Sequence, residues 1–96
     1  MKTKKLTVYT DPGHGWVKVK FSELVKYGIA SKVSRCSYVR GDYVYLEEDC
    51  DAGLYIDALK QAGYNVTQNI KWTNKSSKIR NYMRYSVMMF EAQQGA

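Results

Sequence analysis

The stretch that most constrains this 96-residue chain is its opening, where two alternating segments flank a cluster of turn formers. In residues 4–10 (KKLTVYT), Leu6 and Val8 fall on one side, Thr7 and Tyr9 on the other. Residues 16–20 (WVKVK) alternate again. A period of two marks a strand, because successive side chains leave opposite faces of a pleated backbone. Between the segments stands Asp11-Pro12-Gly13-His14-Gly15, in which proline presets one dihedral and two glycines permit positive φ. The pair therefore reads as a β-hairpin with a loop of four or five residues.

Further along, Ser22 is placed to cap a short helix over residues 23–27 that Gly28 stops. Residues 29–35 fit a continuation, a turn or the start of a strand. CSYV and DYVYLE flank Arg40-Gly41 and predict a second hairpin with Gly41 at the turn. Asp49 or Asp51 then caps a helix whose Tyr55, Ala58, Leu59 and Ala62 share one face, closed by Gly63. Residues 65–72 (NVTQNIKW) form a third β region. Ile79, Tyr82, Met83, Ser86, Val87 and Phe90 recur at helical spacing and predict a helix over residues 77–92. The expected fold is a single small α+β domain in the order β-β-α-β-β-α-β-α. Its antiparallel sheet has about five strands, with two or three helices. Residues 1–85 form the domain and 86–96 a C-terminal helical extension or frayed tail. Val87, Met88, Met89 and Phe90 exceed what one helical stripe can bury, which points to a homodimer through that helix.

Composition narrows the function classes. With 45% hydrophobic and 25% charged residues, the chain has enough apolar surface to fold. No apolar run approaches the ~18 residues of a membrane span, and the basic start lacks the apolar stretch of a signal peptide. Two cysteines are too few for a disulfide framework, so a cytoplasmic location and small buried thiols are expected. The formal charge of +6 favours polyanionic partners. It is unevenly spread: residues 41–59 hold six acids and no base, residues 58–90 six bases and no acid. Nine tyrosines suit half-buried strands and binding surfaces alike.

The strand leading into DPGHG resembles the opening motif of the zinc amidases that cleave peptidoglycan, in which the motif's histidine, here His14, binds zinc. A catalytic zinc needs three protein ligands, and His14 is the only histidine in the chain, so that activity is set aside. Glu47, Glu48, Asp49 and Asp51 form an acidic edge, read as a helix start whose charges oppose the dipole, or as a docking edge for a basic partner. As consecutive strand-end residues, the acids are expected to point to alternating sides. No nucleophile–base pair, phosphate loop or metal-ligand set is evident, so the chain reads as a non-enzyme without cofactors. The segment containing Lys71, Trp72, Lys75, Lys78, Arg80, Tyr82, Arg84 and Tyr85 interleaves cations for phosphates with rings for stacking.

Taken together, DPGHGW, GDYVYLEEDCDA and KIRNYMRY are similar to a family of small phage and prophage proteins of undefined role. That resemblance implies an accessory protein that binds host proteins or nucleic acid, which would make the cytoplasm a host's. The lack of an apolar run gives the expectation of no membrane partner. The first expectation is a non-enzymatic module that occludes a host or defence protein. The alternative is binding of DNA or RNA through the basic aromatic segment.

Overall fold

A computed structural model describes residues 2–88. Both hairpins form as the alternation requires. Strands β1 (Lys2–Thr10) and β2 (Gly15–Lys20) pair antiparallel around a four-residue loop closed by the Asp11 N–H donating to the His14 carbonyl. Strands β3 (Tyr38–Arg40) and β4 (Tyr43–Glu47) pair around Gly41-Asp42. Gly41 takes φ 60°, the positive value that a tight two-residue hairpin turn demands and that glycine adopts without strain.

Helix α1 (Phe21–Lys26) begins one residue before Ser22, with Lys20 at the cap position and no side-chain cap. The Phe21 ring is buried and its N–H donates to the Asp42 carbonyl, so β2 runs straight into the helix. Residues 30–32 resolve the ambiguous stretch as a 3-10 turn. Helix α2 (Ala52–Gln61) forms on its expected stripe, with Tyr55 and Leu59 fully buried, although Ala62 lies exposed just past its end. Asp51 stands at its cap position, yet its carboxylate accepts from Ser34 and Ser37 instead of from the helix.

Among the described residues the sheet has six strands in the order β5-β1-β2-β4-β3-β6, and it is mixed where five antiparallel strands were expected. Strand β5 (Tyr64–Trp72) pairs parallel with β1 along its whole length. The reason is the intervening helix: α2 carries the chain back to the end from which β4 set out, so the next strand runs the same way. One sheet face, with Leu6, Val8, Val17, Val19, Val39, Val44 and Leu46, packs on Phe21, Leu24, Tyr55 and Leu59 to make the main core. Each aliphatic side chain fully buried there contributes about 1.5–3 kcal/mol relative to exposure.

The predicted helix over residues 77–92 does not form through its first half. Lys78–Asn81 is a 3-10 helix capped by the Ser77 hydroxyl, which accepts the Ile79 N–H, and Met83–Arg84 is a short strand, β6. Residues 80–85 make partners that a helix would forfeit. Arg80 is held by Asp11, Met83 and Arg84 pair with the otherwise open edge of β3, and the Tyr85 N–H donates to the Ser37 carbonyl. Of the run proposed for dimerisation, Val87 packs partly on the core and Met88 is exposed, while Met89 and Phe90 lie outside the described residues, as does the rest of the extension. Among the described residues no helix is long and apolar enough to cross a membrane.

Candidate functional site

The second face of the sheet carries the opposite parity of the same strands: Tyr9 on β1, Trp16 and Lys18 on β2, Tyr38 and Arg40 on β3, and Tyr43, Tyr45 and Glu47 on β4. No α-helix among the described residues covers it. The 3-10 helix Lys78–Asn81 crosses it instead, seating Ile79 among Trp16, Tyr38 and Tyr45. That crossing segment is clamped by Asp11. The buried Asp11 carboxylate accepts the Arg80 Nε–H at 2.7 Å and Nη2–H at 2.9 Å, the Ser77 N–H at 2.9 Å, and the Gly13 and His14 N–H groups of its own turn. The Arg80 guanidinium, aided by these backbone donors, holds the Asp11 carboxyl far below the usual carboxylate range despite its burial.

Among the described residues, clefts lie on either side of the Ile79–Arg80 step. One, of about 370 Å³, is lined by Tyr9, Lys18, Arg40, Tyr43, Tyr45, Ser77, Lys78, Ile79 and Tyr82, with no carboxylate among them. Its cations lie against rings: Lys18 Nζ is 4.1 Å from the centre of Tyr43, and the Arg40 guanidinium 5.2 Å from that of Tyr82. On the edge strand, Lys71 reaches to 5.8 Å above Tyr9. The Tyr45 and Tyr82 rings sit 5.3 Å apart. Burial, and then the neighbouring Tyr82 and Tyr9, push the Tyr45 hydroxyl above its ordinary value, so it adds no negative charge.

The other cleft, of about 340 Å³, is lined by His14, Trp16, Cys36, Tyr38, Glu47, Asp49, Cys50, Arg80 and Arg84. Arg80 lies over Trp16 and Arg84 over Tyr38. Here the turn after β4 ends the strand's alternation, so the acids do not point to alternating sides. Ligating atoms of His14, Glu47, Glu48 and Asp49 lie within 4.8 Å of one another. A mixed nitrogen–oxygen set of this kind suits a borderline divalent transition metal, whereas hard cations take oxygen alone. Glu47, however, is buried and already engaged: Oε1 accepts the His14 Nδ1–H at 3.1 Å, and Oε2 the N–H groups of Asp49 and Cys50.

The structure thus separates residues that the chain order groups together. Lys78 and Tyr82 line the first cleft with Lys71 beside it, and Arg80 and Arg84 line the second. Lys75 is exposed in a loop. Trp72, two-thirds exposed, is paired with Thr10 and therefore lies on the opposite side of β5 from Lys71. Tyr85 is in the main core, its hydroxyl donating to the Ala30 carbonyl. Of the acidic edge, Glu47 and Asp51 are buried and serve internal hydrogen bonds, which leaves Glu48 and Asp49 facing solvent. The cysteines are not buried thiols: Cys50 is exposed, Cys36 half-buried, and their sulfurs lie together. Sequence reasoning missed Lys18, Arg40, Tyr43 and Tyr45, although their shared parity, opposite to Val17, Val19, Val44 and Leu46, marks them as one face. The chain matches no family model, and no curated protein or solved structure matches it.

Proposed function

We propose that this protein is a non-enzymatic binder of single-stranded nucleic acid, with the tyrosine-lined cleft as its interface. The observation that carries the reading is a sheet face that no α-helix of the described residues covers, on which Tyr9, Tyr43, Tyr45 and Tyr82 share a cleft with Lys18, Arg40 and Lys78 and with no acid among its lining. Rings take bases by stacking whatever the sequence, and the flanking cations neutralise the backbone. The sheet platform suits single strands, since a flat face admits splayed bases, whereas a duplex keeps its bases stacked inside. Binding of a labelled short oligodeoxynucleotide, followed by fluorescence anisotropy, tests this. Tyr43→Ala should weaken it by about 1–3 kcal/mol. Unchanged affinity in that variant and in Arg40→Ala would overturn the reading.

A second reading is a phage-type accessory protein that occludes a host or defence protein. It is favoured by exposed Ile70 and Trp72 on the edge strand β5, whose outer side pairs with no other described strand. Tryptophan is enriched at protein interfaces, and a free edge accepts a further strand. Pull-down from nuclease-treated lysate separates the two: a stoichiometric protein partner lost on Trp72→Ala supports occlusion.

A further inference from the structure

Cys36 precedes β3 and Cys50 follows β4, yet their Sγ atoms are 2.7 Å apart, with the Cys50 thiol donating to Cys36. Both backbones are anchored by buried carboxylates. The Cys36 N–H donates to the Ser34 hydroxyl at 3.1 Å, and that hydroxyl donates to Asp51 at 2.8 Å. The Ser37 hydroxyl donates to the same Asp51 oxygen at 2.6 Å. On the other side, the Cys50 N–H donates to Glu47 Oε2 at 2.9 Å. Both sulfurs line the second cleft, beside Arg84, whose guanidinium donates to the Arg35 carbonyl. A disulfide forms readily only where the backbone already presents two sulfurs to each other, and here two buried networks do so.

We propose that Cys36 and Cys50 are a redox-active dithiol that small disulfides, of the oxidised glutathione class, convert to an internal disulfide. Cys36 attacks and Cys50 resolves. The Cys36 thiolate attacks one sulfur of the small disulfide, giving a mixed disulfide and one released small thiolate. Cys50 then loses its proton to solvent and attacks the Cys36 sulfur, forming the Cys36–Cys50 bond and releasing the second small thiolate. Two protein thiols are oxidised and one small disulfide is reduced to two thiols. The Cys50 thiol donates to the Cys36 sulfur, so its S–H stabilises a thiolate on Cys36 and Cys50 keeps its proton until the second step.

The test is intact-mass and free-thiol analysis of the full chain treated with oxidised glutathione. The wild type should lose both free thiols and two hydrogens, carry no adduct, remain monomeric on a non-reducing gel, and return to the dithiol with dithiothreitol. Cys50→Ser should retain one glutathione adduct on Cys36, and Cys36→Ser should react more slowly. Two persistent thiols, stable adducts on the wild type, or disulfide-linked dimers would overturn the dithiol. A faster adduct in Cys36→Ser than in Cys50→Ser would overturn the assigned order of attack.

Discussion

Replacing Ser37 with alanine should cost this domain about 3 kcal/mol, because one buried hydroxyl both donates to a buried carboxylate and accepts a buried backbone N–H. Ser37 is fully buried. Its hydroxyl donates to Asp51 Oδ2 at 2.6 Å and accepts the Glu47 N–H at 3.0 Å. A hydrogen bond to a charged group is worth about 1.5–3 kcal/mol, and a buried N–H left without an acceptor costs about 1–3 kcal/mol. The two losses overlap, since Asp51 keeps the Ser34 hydroxyl and N–H, so the lower half of their combined range is expected. Ser34→Ala is the control: Ser34 is only partly buried, water can replace its hydroxyl, and about 1 kcal/mol is expected. Urea unfolding followed by circular dichroism reads the difference, with the denaturant slope unchanged. Thermally, about 3 kcal/mol in a domain of this size is a fall of roughly 12–24 °C. A loss under about 1 kcal/mol, or one equal to that of Ser34→Ala, would refute the claim that the Ser37–Asp51–Glu47 network holds β3 to the α2 turn.

Acid sensitivity should be concentrated at Asp11. Its depressed folded-state pKa gives a stabilisation that is complete above the unfolded value of about 3.9 and is lost as pH falls toward the folded value. The urea midpoint of the wild type should therefore drop below about pH 4. Asp11→Asn should start lower at neutral pH and fall less steeply, and parallel curves for the two would count against the clamp. Glu23 adds to the same trend, since the Tyr55 hydroxyl and Lys4 outweigh the burial that would raise its carboxyl. Trp72→Ala should leave single-strand affinity within about twofold while Tyr43→Ala weakens it, because Trp72 lies on the other side of the edge strand and a stacking contact is worth about 1–3 kcal/mol.

Much of the fold was legible where the signal was local. The alternation of Leu6 and Val8 against Tyr9, the two-residue turn at Gly41-Asp42, and the Tyr55–Leu59 stripe each depend on residues close in sequence. Parallel pairing of β5 was harder, because its exposed edge position leaves little hydrophobic pattern to name a partner. The helical spacing of Ile79, Tyr82 and Met83 misled for a different reason. Arg80 is bound by a carboxylate 69 positions away, and β6 is recruited by the open edge of β3, so tertiary partners outweigh local periodicity. The site followed the same division. The basic aromatic character of residues 71–85 was evident, but whether each side chain faces a cleft, the core or the far side of β5 depends on register. Neither the Asp11 clamp nor the meeting of Cys36 with Cys50 leaves a mark in the sequence, since each joins turns that only the folded sheet brings together.

The most direct test of the central claim is the salt dependence of single-strand affinity. Lys18, Arg40, Lys71 and Lys78 surround the tyrosine cleft, and four neutralised phosphates on a single strand give a slope of log K against log salt of about −3. Anisotropy titrations of a labelled oligodeoxynucleotide across a salt series should show that slope, flattened by about 0.7 in Arg40→Ala. A dissociation constant weaker than about 100 μM at low salt, or a slope unchanged by Arg40→Ala, would contradict the account.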